Sequence, residues 1–125
     1  MTLPNDILRN DAIEWLITSL GTDEPDILLD VLQTFLSDGL QLVERMQSAL
    51  RENDTQLLFR SAHTLKSSSA IIGAEQLSDA CEALERALRR NQDVDQEAAV
   101  ALIAYAFADA TQALEKEIRK LENQQ

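Results

Sequence analysis

The sequence predicts an all-α protein, an up-down-up-down antiparallel four-helix bundle with a short extra N-terminal helix. Three observations point there. Alternating β-branched stretches are absent and helix formers dominate. Apolar residues recur at helical spacing through several long segments. The links between those segments are short, which makes successive helices antiparallel neighbours. With 125 residues, 45% of them hydrophobic, there is material for one core, so a single domain over 1–125 is expected.

Each element has its own signals. The first helix is expected over about 11–20, with Asp11 and Glu14 at capping-box spacing and Gly21 as its stop. The second is expected over about 25–51, with Pro25 in its first turn and an apolar stripe of Leu28, Leu32, Phe35, Leu42, Met46 and Leu50. Gly39 lies inside it, where glycine weakens a helix; close approach of a neighbouring helix is one reason to tolerate it. The third opens at Asn53, with Gln56 as reciprocal cap, and closes at Gly73. The fourth, about 75–90, ends in Arg86, Arg89 and Arg90, which favour the negative end of the helix dipole. The fifth begins near Asp93 and carries Ile103, Phe107, Ala110, Leu114, Ile118 and Leu121 at helical spacing. The bundle core then spans about 25–122.

Bulk properties exclude several functions. The formal charge of −11 disfavours nucleic acid and anionic membrane surfaces, both of which attract basic patches. Cys81 is the only cysteine, so no internal disulfide forms. MTLPNDILRND lacks the basic and apolar regions of a signal peptide, and the apolar run 98–108 is too short to span a bilayer. A cytoplasmic protein is expected. Zinc wants several nitrogen or sulfur ligands, and one His with one Cys does not supply them. No Gly-rich nucleotide loop occurs.

The single histidine, His63, lies in SAHTLKSSSAIIGA. At roughly 100° per residue, Leu58, Ala62, Leu65, Ser69 and Ile72 form the core face of the third helix. His63 lies nearly opposite Leu65 and points to solvent. Ser67 and Ala70 fall close to it, Phe59 lies to one side, and Lys66 stands one turn on. Short side chains leave the imidazole accessible, a neutral imidazole is nucleophilic, and a nearby ammonium favours arriving negative charge. Those are the requirements of a phosphoryl acceptor. They are also compatible with an ordinary surface histidine. A hydrolytic triad is disfavoured: Ser67 is one turn away, but no carboxylate is placed to orient the ring.

The pattern Ala62-His63-x-Leu65-Lys66-x-Ser68-Ser69-x-x-x-Gly73-Ala74-x-x-Leu77-x-x-x-Cys81-x-x-Leu84-Glu85 resembles the signature of histidine-containing phosphotransfer (HPt) domains. The upstream layout is similar too, with a short helix, a Gly-x-Asp-x-Pro turn, a long apolar helix and Asn-Asp before the histidine helix. The resemblance implies that His63 exchanges a phosphoryl group with aspartates on receiver domains of response regulators or hybrid sensor kinases. It implies that Lys66 helps hold that group and that Glu85, from the next helix, lies near the ring. Arg89 matches a basic position of some members. One departure is Ser67, where the family usually has glycine; the added hydroxymethyl group implies slower or more selective transfer, and its hydroxyl has a phosphate within reach. The family's apolar docking patch implies a receiver contact at Phe59, Ala70, Ile13 and Ile17, although Ile13, Trp15 and Ile17 read equally as core. Gly73 reads as a helix stop and Cys81 as a small buried residue.

The resemblance implies a phospho-carrier without turnover of its own. No metal site or cofactor is expected in this chain, with Mg²⁺ supplied by the receiver. The phosphoacceptor domain of a sensor kinase is the nearest rival, but it has an acidic residue after the histidine and then Asn or Thr before Pro. Here Thr64-Leu65-Lys66 follows. A bundle closed within one chain predicts a monomer, against the obligate dimer of that rival. A second alternative is a receiver-binding module whose histidine is never phosphorylated.

Overall fold

The computed structural model describes residue 8 and residues 12–124. Five helices follow one another: α1 Ala12–Leu20, α2 Pro25–Glu52, α3 Thr55–Ile72, α4 Glu75–Arg89 and α5 Gln96–Glu122. α2 packs on α3 and α5, and α4 packs on α3 and α5, which closes the four into a bundle; α1 lies against α3. This is the predicted architecture.

Each long helix buries the stripe its sequence advertises. Leu28, Leu32, Phe35, Leu42 and Met46 of α2 meet Val100, Ile103, Phe107, Ala110 and Leu114 of α5 in one core cluster, with Leu58, Leu65 and Ile72 of α3 and Leu77, Cys81 and Leu84 of α4. Leu50 and Ile118 are half-buried at its edge. Gly39 marks the α2–α5 contact, because a Cβ there would lie 2.5 Å from Cε1 of Phe107. Close approach is the reason this helix carries a glycine.

The helix ends differ from expectation in register. Asn53 does not open α3; it ends α2 in the left-handed region, φ 55°, which asparagine tolerates better than most residues. Asp54 is the cap of α3, its carboxylate accepting the Leu57 N–H at 3.0 Å, so Gln56 is not needed as a reciprocal cap. α5 likewise starts after Asp95, which accepts from the Ala98 N–H at 3.0 Å, and not at Asp93. Asp11, expected to cap α1, lies outside the described residues. Gly73 closes α3 as expected, at φ 87°, with its N–H on the Ala70 carbonyl and the next N–H on Ser69.

α1 is seated by Leu16, which is buried and which the sequence reading did not single out. Ile13 and Ile17 are half-buried against the core and Trp15 is exposed, so the core reading holds in part for the isoleucines and not for the tryptophan.

Candidate functional site

The residues of interest meet where α3 and α4 run side by side. Leu58, Ala62, Leu65, Ser69 and Ile72 turn inward, which sends His63 outward, its side chain 54% exposed. The serine run fits this helix because each hydroxyl returns to its own backbone. Ser67 donates to the His63 carbonyl at 3.4 Å, Ser68 to Thr64 at 3.2 Å, and buried Ser69 to Leu65 at 2.5 Å. Ser67 is exposed beside His63, with its hydroxyl in reach of its own helix backbone. Ser78 of α4 donates to the Lys66 carbonyl at 3.0 Å and ties the two helices together at the site. Nothing in the spacing of α4 singles out Ser78, because its partner is a backbone group on another helix.

Glu85 is the centre of the arrangement. Its side chain is 1% exposed, unusual for a carboxylate unless paired, and three groups meet it. Oε1 lies 2.9 Å from Nδ1 of His63 and 2.5 Å from Nη2 of Arg89. Oε2 lies 2.8 Å from the Lys66 ammonium, but no aligned hydrogen bond reaches this sealed oxygen. Burial pushes the Glu85 carboxyl up; contacts from Lys66, then His63, outweigh it and hold the group below the ordinary carboxylate range. An ionised acceptor at Nδ1 requires Nδ1 to carry the proton. Nε2 is then the free, nucleophilic nitrogen.

This corrects the expectation that no carboxylate is placed to orient the ring. Glu85 does so from the next helix, where a one-helix wheel does not look. Lys66 is engaged with Glu85, with its side chain 27% exposed. Arg89, 61% exposed, grips Glu85 and lies over the Phe59 ring at 5.7 Å. Phe59 is half-buried and nearly parallel to the imidazole, with centroids 6.3 Å apart and planes 9° from parallel. His63 is thus backed on its Nδ1 edge by Glu85 and flanked by Phe59.

Of the expected docking residues, Ala70 is exposed on the histidine helix. Ile71 and Ile27 are exposed apolar residues that the sequence reading did not name. Ile71 lines a shallow groove with Val31, Thr34, Phe35 and Ser68 between α2 and α3. Among the described residues, no three His, Cys, Asp or Glu side chains cluster to hold a metal, and no helix is long and apolar enough to cross a membrane.

A helical bundle that presents one accessible imidazole, with a carboxylate and two cations behind it, belongs in class with the histidine phosphocarriers. Sequence and structure comparisons agree. The Hpt domain family model matches residues 30–124, and the chain belongs to that family. The phosphorelay protein LuxU of Vibrio harveyi is 29% identical over 89 residues, covering 70% of this chain and 74% of LuxU. The crystal structure of histidine-containing phosphotransfer protein B from Pseudomonas aeruginosa PAO1 superposes with a TM-score of 0.81 at 24% identity. That match covers 93% of this chain and 97% of the other. The HPT domain of a hybrid sensor histidine kinase from Shewanella gives 0.72 at 21% identity, over 86% and 92% of the two chains. The protein is a phosphotransfer intermediate of two-component signalling, a carrier rather than an enzyme with its own turnover.

Proposed function

We propose that His63 is the residue that carries the phosphoryl group, on Nε2, between aspartates of receiver domains. The observation that carries this reading is the Nδ1–Glu85 contact at 2.9 Å, on a ring whose other edge is open. In the forward step the Nε2 lone pair forms the N–P bond while the P–O bond to the receiver's aspartate breaks. The carboxylate leaves with the bonding pair, and Nδ1 keeps its proton, facing Glu85. The reverse step returns the phosphoryl group to a second receiver.

Phosphoryl transfer depends on positioning and charge stabilisation more than on covalent help. This chain contributes a fixed imidazole, with the cations Lys66 and Arg89 held on Glu85 beside it. Its carboxylate at the site is already occupied by Lys66, Arg89 and Nδ1, a donor set that does not suit a metal. Mg²⁺ enters with the receiver, which docks on Phe59, Ala70 and Ile71 of α3, with Ile13 and Ile17 from α1. The carrier acts as a cytoplasmic monomer.

The test is to mix the protein with a phosphorylated receiver domain and Mg²⁺ and measure intact mass, with His63→Gln alongside. Acid-labile, alkali-stable phosphate in wild type and none in the variant is the expected result. Equal receiver binding by both proteins with phosphate on neither would make this a phosphorylation-independent interaction module.

A further inference from the structure

Lys66 is not free to receive a phosphoryl group. Its ammonium sits 2.8 Å from Oε2 of Glu85, and that oxygen is sealed from solvent without an aligned hydrogen bond. His63 and Arg89 both address the other oxygen, Oε1. Lys66 is therefore what neutralises the Oε2 side of a carboxylate whose side chain is 1% exposed. A lysine that swings toward a phosphoryl group on Nε2 leaves Oε2 without a neighbour and the buried carboxylate with Arg89 as its remaining cation, which is costlier than never having formed the contact.

We infer that Glu85 and the phosphoryl group compete for the Lys66 ammonium, so that Glu85 loosens the hold of this site on its phosphoryl group and keeps the phosphohistidine a ready donor. The inference rests on the carrier reading above and deepens it. Glu85 acts here as a positioning residue with two opposed effects. Through Oε1 it fixes the imidazole for attack, and through Oε2 it withholds the cation that would stabilise the product. The bonds made and broken are those of the transfer step already written; only the balance between its two sides changes.

Glutamine separates the two effects. Its side-chain oxygen still accepts from Nδ1–H, so the ring stays oriented, but it carries no charge to retain Lys66. The experiment equilibrates each carrier with an isolated receiver domain charged by acetyl phosphate, in Mg²⁺, and reads the ratio of phosphohistidine to phosphoaspartate. In Glu85→Gln the ratio should shift toward phosphohistidine by about tenfold, the scale of losing the partner of a buried charge. In the Lys66→Met background the same change should have little effect, because nothing is left to contest. Glu85→Asp, which keeps the charge, should stay nearer the wild-type ratio than Glu85→Gln does, which keeps the test decisive if the glutamine variant folds poorly.

An unchanged ratio would overturn the inference, and so would a shift toward phosphoaspartate, which would mean that Glu85 presents Lys66 to the phosphoryl group. A shift that persists in the Lys66→Met background would also overturn it, by showing that the carboxylate acts through the imidazole or Arg89 and not through Lys66. Phosphate absent from wild-type His63 would instead remove the carrier reading and this inference with it. A purely structural role for Glu85 would lower melting temperature without moving the ratio.

Discussion

Cys81 and Glu85 stand one turn apart on α4, both buried, and their chemistry runs in opposite directions. Burial pushes the Cys81 thiol up to about 12, the Glu85 carboxylate adds to this, and Lys66 opposes it only partly. A thiol held that far above cellular pH has almost no thiolate, the form that reacts. Native protein is expected to resist Ellman's reagent, with one thiol released on denaturation; rapid native labelling would show that α4 opens. Glu85 is held ionised by its neighbours, and its role shows the limit of reading one helix at a time. The outward direction of His63 was legible from the spacing of Leu58, Leu65 and Ile72. The carboxylate behind it was not, because that contact joins residues 22 positions apart on different helices. Only the family resemblance pointed to Glu85.

At the level of elements, periodicity was the readable part, because burial of a stripe depends only on helical geometry. Caps were less readable, because several polar residues compete for each end. Asn53 and Asp54 are adjacent and both suit a cap; the chain uses the asparagine to leave α2 and the aspartate to enter α3. Trp15 and Leu16 show the same one-residue ambiguity in a helix of nine residues, too short for its phase to be certain. Gly39 was readable as an anomaly, and its partner supplies the reason. Phe107 is buried and tilted against Phe35, with centroids 6.1 Å apart, so its ring has little room to yield. Gly39→Ala is expected to destabilise the fold by about 1–3 kcal/mol despite alanine's better helix propensity, as overpacked cores do. Urea titration checks this, and Gly39→Ala with Phe107→Leu should recover part of the loss.

Across the whole molecule, the α3–α4 seam links stability to pH. The folded-state pKa of Glu85 lies below its ordinary 4.5, so its stabilising contribution is complete above that value and is lost as pH falls through the lowered one. The difference in melting temperature between wild type and Glu85→Gln should close as pH falls below about 5. A gap that instead widened on acidification would mean the carboxylate is not held ionised in the fold. The seam also governs traffic. On the proposal that His63 is the carrier residue, with Nδ1 turned toward Glu85, one edge of one ring is all that either partner is offered. Donor and acceptor must therefore take turns, and neither is able to wait on the surface while the other reacts. Signal flux then depends on how quickly each partner departs, and a receiver bound too tightly would jam the relay that it serves.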